Sequence, residues 1–202
     1  MPVPLSSRNC SIGAISSQKP SKESLDPQKG ASSIARRLHL VAPAGQLHVH
    51  TAPYRGSFSV VLSEALRTAG LGSRVLIVQF LKGGVNQGPK GCVELCGNLQ
   101  WLRPATENCL SEGCESSSKS NDVNAVKEIW QICRDRLRLG DVDQLVLDEI
   151  GLAISLGYLK EKDVIDSLEK RPENIDVTLI GPAIPSRITS IADQVTELRC
   201  GF

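Results

Sequence analysis

The sequence predicts an α/β domain with a mostly parallel, doubly wound sheet flanked by helices, and three observations support this prediction. First, a strand, a loop, a helix and a second strand follow one another between Gln46 and Gly83. Second, the segment Val75–Val78 is apolar on both faces, as a parallel strand covered by helices should be. Third, apolar strands and amphipathic helices keep alternating as far as Leu198.

Composition limits the classes of function. A chain of 202 residues can form one well-buried domain with a tail. The formal net charge of +1 and the aromatic content of 3% argue against a nucleic-acid-binding protein. No apolar run reaches the roughly 20 residues needed to span a bilayer, so we expect no membrane association. The seven cysteines are scattered and odd in number, which favours reduced thiols in an intracellular, cytoplasmic protein.

We expect residues 1–44 to form a disordered N-terminal arm and residues 45–202 to form the folded domain. The arm is rich in Ser, Lys, Arg and Pro and has no sustained apolar period. It lacks the apolar segment of a secretory signal, and Glu23 and Asp26 are atypical of a transit peptide. The arm is therefore either a plain tail or a segment for targeting or partner binding.

The first strand is predicted at Gln46–Thr51. Its alternation places Leu47 and Val49 on one face and His48 and His50 on the other. Since this alternation alone explains the two histidines, we do not expect them to be metal ligands.

The first helix is predicted from Ser57 to Ala69, after a tight loop over residues 52–56. Helical spacing predicts four buried residues, which are Val60, Val61, Ala65 and Leu66. Gly70 and Gly72 should end this helix, and the second strand should run from Arg74 to Phe80.

A glycine-rich loop at Gly83–Gly91, a strand at Leu99–Leu102 and a long polar segment at Pro104–Asn121 follow. Four cysteines lie in this region, at positions Cys92, Cys96, Cys109 and Cys114. Their spacings are C-x3-C and C-x4-C, whereas zinc ribbons use C-x2-C pairs, so we do not expect a structural zinc.

The second half of the chain continues the alternation. A helix is predicted at Asp122–Gly140, with an apolar stripe of Val126, Ile129, Trp130, Cys133 and Leu137. The further predicted elements are a strand at Gln144–Leu147, helices at Ile150–Gly157 and Glu161–Lys170, a strand at Val177–Ile180, a helix at Pro185–Ala192 and a strand at Gln194–Leu198.

Two features of this pattern point to phosphate chemistry. The loop after the first strand lies at a helix N-terminus, where unpaired N–H groups and the helix dipole attract anions. Asp148 and Glu149 follow a buried strand, as the acids of a Walker B site do, and Asp148 is the candidate ligand for a Mg²⁺ ion. The alternative is an acid pair that only caps the next helix.

Residues 46–199 resemble the P-loop corrinoid adenosyltransferases, which use ATP to adenosylate cobalamin or cob(I)yrinic acid a,c-diamide. The resemblance rests on the segments ALRTAGLGSRVLIVQFLKGG, LVLDEIGLAISLGYL, KRPENIDVTLIG and ADQVTELR. It implies a P-loop NTPase-like fold, a homodimer, and catalytic roles for Asp148 and Glu149. It also implies a cofactor site for ATP, Mg²⁺ and a corrinoid that includes Gln79 and Lys82.

The phosphate loop departs from the family pattern, which is roughly Gly-Asn/Asp-Gly-Lys-Gly-Lys-Thr-Thr. The corresponding residues here are Ala52, Pro53, Tyr54, Arg55, Gly56, Ser57, Phe58 and Ser59. Ser57 replaces the lysine that neutralises phosphate, and Phe58 replaces the threonine that contacts the metal. Only Arg55, Gly56 and Ser59 retain the residue type. The loop APYRGSF also resembles an uncharacterised cyanobacterial branch of P-loop proteins.

Three further departures agree with this change. The aromatic segment Gly-Phe-Thr-Trp, which packs on the corrinoid in the family, is replaced by the polar residues 105–121. Gly181-Pro182 stands where the family has Gly-Arg, and the C-terminal segment Lys-Ala-Gln-x-Gly-Ile has no counterpart before Phe202.

Two hypotheses follow. The first, which we favour, is a catalytically degenerate family member that acts as a binding or regulatory protein, through another anion or through an unidentified protein partner. The second is an active ATP:corrinoid adenosyltransferase in which Arg55 takes over from the missing lysine. The cofactor-binding candidates for both are Arg55, Gly56, Ser57, Ser59, Gln79 and Lys82. If Tyr54 or Phe58 fills the loop cavity, nucleotide binding is excluded sterically.

Overall fold

The structure is a computed structural model that describes residues 44–56, 58–83, 88–107, 109–110 and 119–199. Its elements are β1 Leu47–Thr51, α1 Ser59–Gly70, β2 Val75–Gln79, β3 Val93–Leu95, β4 Leu99–Leu102, α2 Lys119–Leu139, β5 Gln144–Asp148, α3 Ile150–Ser155, α4 Glu161–Glu169, β6 Asp176–Ile180, α5 Ser186–Ile191 and β7 Gln194–Glu197. The arm predicted over residues 1–44 lies outside the described residues as far as residue 43.

The described strands form one sheet in the order β3-β4-β2-β5-β6-β1-β7. All neighbouring pairs are parallel except β3 and β4, which are antiparallel. One face packs on α1 through Ala65 and Ala69, and the other packs on α2, α3, α4 and α5. Helices therefore cover both faces of a mostly parallel sheet, which confirms the predicted fold class.

The first helix differs from the prediction. It begins at Ser59, and Val60, which we expected to be buried, is 81% exposed. The stripe that faces the sheet instead passes through Val61, Ala65 and Ala69, and Val60 lies outside this arc of the helix. The apolar character of Val60 thus misled the prediction, because a second valine beside it occupies the inward position.

Strand β3 was not predicted. It has only three residues and pairs with β4 across a turn in which Cys96 and Gly97 have φ values of +54° and +73°. A run this short leaves no detectable alternation. Helix α2 begins three residues before the predicted Asp122, and all five residues of its predicted stripe are buried.

No helix within the described ranges is both long enough and apolar enough to cross a bilayer. Over the same residues, no three His, Cys, Asp or Glu side chains converge as metal ligands would, and Cys114 lies outside the described part of the chain.

The parallel strands bring their carboxyl ends to one edge of the sheet. In the register, Gln79 pairs with Asp148, and Asp148 pairs with Ile180. On the other side of β2, Val78 pairs with Leu102, so Arg103 follows β4 at the level of Gln79. The phosphate loop follows β1, which is two strands away from β5. A side chain from this loop must therefore reach past the end of β6 to meet the acid pair.

Candidate functional site

The acid pair at the end of β5 is buried and rigidly held. The side chains of Asp148 and Glu149 are 2% and 3% exposed. Glu149 has a left-handed backbone with φ of +61°, and its N–H donates to the carbonyl of Ile180 at 2.8 Å. Gly181 lies against it with φ of +127°, and a Cβ atom there would lie 3.0 Å from the Cα of Glu149. The end of β6 therefore fixes where the Glu149 carboxylate points.

Arg55 of the phosphate loop meets Glu149 in a two-pronged ion pair. Its Nε donates to Oε1 at 2.7 Å, and its Nη2 donates to Oε2 at 2.8 Å. Its Nη1 donates to the carbonyl of Leu110 at 3.2 Å. The hydrogen bond with Glu149 raises the pKa of Arg55. The loop cation thus binds an internal carboxylate and ties the loop to the segment after β4.

Asp148 is held differently. Lys82 Nζ and Gln79 Nε2 both donate to its Oδ2, at 2.9 and 2.7 Å. Its Oδ1 is buried and has no hydrogen-bond partner among the described residues. Burial is the main cause that raises the pKa of Asp148, Glu149 adds to it, and Lys82 and Gln79 oppose it. The carboxylate is therefore only partly compensated.

Two residues that sequence reasoning did not assign to a site join this group. The indole N–H of Trp101 and the Nε of Arg103 both donate to Oε1 of Gln79, at 3.0 and 2.8 Å. The guanidinium carbon of Arg103 lies 6.0 Å from the centre of the Trp101 ring. The signal was present in the sequence, because Arg103 directly follows a predicted strand, but its meaning depends on β4 lying beside β2.

The remaining loop candidates are not drawn into the site. Ser59 is exposed at the start of α1, and Gly56 is half-buried against the ring of Tyr54. Ser57 lies outside the described residues. Phe58 is 5% exposed and belongs to the core cluster beneath α1, so its ring serves as a hydrophobic anchor for the loop. Tyr54 is 45% exposed and does not fill a buried space.

These residues do not fit a magnesium triphosphate. A Mg²⁺ ion needs near-octahedral oxygen ligands, and three of the four carboxylate oxygens here already bind Arg55, Lys82 or Gln79, which leaves only Oδ1 of Asp148 without a partner among the described residues. Phosphate oxygens need free donors, whereas the guanidinium of Arg55 is engaged with Glu149 and Leu110. The position of the metal-contacting hydroxyl is occupied by the buried ring of Phe58.

The fold and the site define a P-loop-type α/β protein with a remodelled phosphate loop. The family model described as ATP:corrinoid adenosyltransferase BtuR/CobO/CobP matches residues 43–201. The chain therefore belongs to the ATP:corrinoid adenosyltransferase family, which confirms the resemblance seen in the sequence.

Individual relatives agree. The corrinoid adenosyltransferase of Escherichia coli is 28% identical over 155 residues, which are 77% of this chain and 76% of that protein. Corrinoid adenosyltransferase CobA of Salmonella typhimurium is 30% identical over equal shares. An uncharacterized protein of Nostoc sp. is 25% identical over 171 residues, which cover 77% of this chain and 44% of that protein. That match leaves the predicted cyanobacterial branch a prediction.

Proposed function

We propose that this protein is a catalytically degenerate member of the corrinoid adenosyltransferase family that acts as a binding or regulatory protein. One observation supports this proposal above all others. Arg55, the cation of the described part of the phosphate loop, is bound through two hydrogen bonds to the buried carboxylate of Glu149. The positive charge of Arg55, which a bound triphosphate would need, is thus already neutralised by a carboxylate of the protein.

The energetic argument concerns the release of Arg55. A phosphate that captures the guanidinium leaves Glu149, 3% exposed, without its cation. Removing one partner of a fully buried ion pair costs about 3–5 kcal/mol, and the lower end applies here because Arg55 is itself partly exposed. A penalty of about 3 kcal/mol is roughly a hundredfold in affinity. The missing lysine and threonine weaken nucleotide binding further.

A second candidate function is the active transferase of the family. It is favoured by one specific observation, the buried Oδ1 of Asp148 that has no partner among the described residues. In a metal-dependent enzyme this oxygen is the one free to take a metal ligand position. The candidate requires that both Arg55 and Lys82 yield their carboxylates when substrate binds.

Calorimetry with ATP and Mg²⁺ separates the two candidates. We expect no measurable binding of ATP at millimolar concentration to the full chain. The variant Glu149→Gln should gain affinity for ATP, because it frees the guanidinium of Arg55. The variant Arg55→Ala should show no ATP binding. Arg67→Ala serves as the matched control, since Arg67 and Glu64 form an exposed pair on α1. Micromolar binding by the unmodified protein, lost in Arg55→Ala, would overturn the proposal.

An activity assay gives an independent test. Reduced cobalamin, ATP and Mg²⁺ are incubated with the protein, and formation of the adenosylated corrinoid is followed by its absorption spectrum. We expect no turnover above the protein-free rate. Turnover that disappears in Asp148→Asn would establish the enzyme.

We further propose that the protein forms a homodimer, as its family resemblance implies, and that it acts in the cytoplasm through a protein partner. Light scattering of the purified protein tests the oligomeric state, and a monomer at micromolar concentration would contradict it.

A further inference from the structure

A row of polar side chains crosses the carboxyl edge of three neighbouring strands. Arg103 follows β4, Gln79 ends β2 and Asp148 ends β5. They are joined in that order, since Arg103 donates to Gln79 at 2.8 Å and Gln79 donates to Asp148 at 2.7 Å. Gln79 is 2% exposed, so the orientation of its amide is fixed by its partners on both sides.

Among the described residues of this site, the three cations Arg55, Lys82 and Arg103 outnumber the two carboxylates by one. Arg55 pairs with Glu149, and Lys82 pairs with Asp148. Arg103 has no carboxylate partner in the part of the chain that the structure describes, and its Nε bonds to a neutral amide oxygen. An arginine this close to a buried site normally pairs with an anion, because its planar group matches carboxylates and phosphates.

We propose that Arg103, supported by Lys82, forms a binding site for a small phosphate-type oxyanion on the β4 side of the acid pair. This site lies beside β4 and not in the phosphate loop, and its principal cation, Arg103, is not among the cofactor-binding candidates of the sequence.

The geometry prepares Arg103 for this role. The Nε of Arg103 donates to Gln79, and the guanidinium carbon lies 6.0 Å from the centre of the Trp101 ring. These contacts hold the guanidinium in place before any ligand binds. Its two terminal nitrogens make no hydrogen bond within the described residues and can donate side by side to two oxygens. Lys82 uses one of its three donors on Asp148 and is 30% exposed, so it can supply a second cation. Prior fixation of the donors reduces the entropy lost on binding.

The indole resonances of the full-length protein provide the test. The chain has two tryptophans, and their indole N–H groups give separate signals in a ¹H–¹⁵N spectrum. Trp101 shares the oxygen of Gln79 with Arg103, whereas Trp130 is buried in the core. Titration with inorganic phosphate should shift the Trp101 signal saturably and leave the Trp130 signal in place. The variant Trp101→Phe assigns the two signals.

Variants locate the site. Arg103→Gln should weaken phosphate binding at least about tenfold, because it removes a charge-assisted contact. Arg103→Lys keeps the charge without the two-pronged geometry and should show an intermediate loss. Arg134→Gln, an exposed substitution on α2, should have no effect. Thermal melting of each variant establishes that it is folded, and the comparison of Lys with Gln at position 103 applies to folded protein only.

Three results would overturn the proposal. One is a Trp101 signal that does not respond saturably to phosphate. Another is a response that chloride reproduces at equal ionic strength or that acetate produces more strongly than phosphate. The third is a response that survives Arg103→Gln but disappears in Arg55→Ala, since the anion would then bind at the phosphate loop.

Discussion

Asp148 and Glu149 are adjacent in the chain, but their carboxylates have different hydrogen-bond partners. Glu149 has both carboxylate oxygens matched by Arg55, and its backbone is locked against Gly181. Asp148 has one oxygen shared by Lys82 and Gln79 and another with no partner among the described residues. The carboxylate of Glu149 is thus fully matched by the phosphate loop, whereas that of Asp148 is matched at only one of its two oxygens.

The largest expected effect on stability comes from disturbing the contact between Gly181 and the backbone of Glu149. Gly181→Ala should lower the free energy of unfolding by about 2–4 kcal/mol, because a Cβ there meets the backbone of Glu149 in a positive-φ conformation. Urea unfolding measures this. Gly97→Ala is the control, since Gly97 also has positive φ but no atom within 4 Å of its virtual Cβ. Equal losses for both variants would show that contact with Glu149 is unimportant.

The next effect comes from the ion pair. Arg55→Ala should lower the free energy of unfolding by about 3 kcal/mol at neutral pH, because the buried Glu149 loses its partner. Glu149→Gln should recover part of this loss in the double variant. The exposed pair of Arg67 and Glu64 should contribute under about 0.5 kcal/mol when Arg67 is replaced by Ala. A loss at Arg55 no larger than at Arg67 would contradict a tight pair.

A smaller effect on stability is expected from the hydrogen bonds that Gln79 makes beside Asp148. Gln79→Leu keeps the volume but removes the amide that joins Trp101 and Arg103 to Asp148, and should cost about 1–2 kcal/mol. The same change should raise the pKa of Asp148 further, because Gln79 helps to keep that carboxylate ionised. Urea unfolding and carboxyl ¹³C titration measure the two quantities. An unchanged pKa would show that the bridge is not electrostatically coupled.

The smallest effect is a pH dependence. The pKa of Asp148 is raised on folding, so the folded state holds this proton more tightly than the unfolded state. Stability should therefore decline as pH rises from the ordinary aspartate pKa through the raised pKa. Asp148→Asn should remove this component.

The exposed ion pair of Asp143 and Arg74 should make stability change with pH in the opposite direction. The hydrogen bond from Arg74 is the main cause that lowers the pKa of Asp143. The contribution of this carboxylate to folding stability should therefore be lost as pH falls through the lowered pKa. Unfolding series of the wild type, Asp148→Asn and Asp143→Asn distinguish the two slopes. Identical slopes in the two variants would contradict the assignment.

The sequence predicted most of the fold because most elements carry a clear period. The apolar run of β2 and the stripe of α2 are long enough to determine both type and burial. Val60 was assigned wrongly because two adjacent valines made the helical phase ambiguous. Strand β3 was missed because three residues are stabilised by their partner strand and show no pattern of their own.

The site was predicted in part. Arg55, Gln79, Lys82, Asp148 and Glu149, all candidates from the sequence, do come together. What the sequence did not reveal was that Arg55 binds Glu149, since both residues had been assigned to substrate. Arg103 was missed because its proximity to Gln79 follows from strand order, which is a property of the whole sheet.

The burial of Phe58 limits which residues this loop can accept. Its ring packs in the core with Ala52, Ala65 and Ile180. Restoring a threonine there would leave a cavity and cost about 3 kcal/mol or more, before any benefit to nucleotide binding. Phe58→Thr would therefore exchange the packing that anchors the loop for a hydroxyl, so the stability of the domain opposes a metal-contacting group at this position.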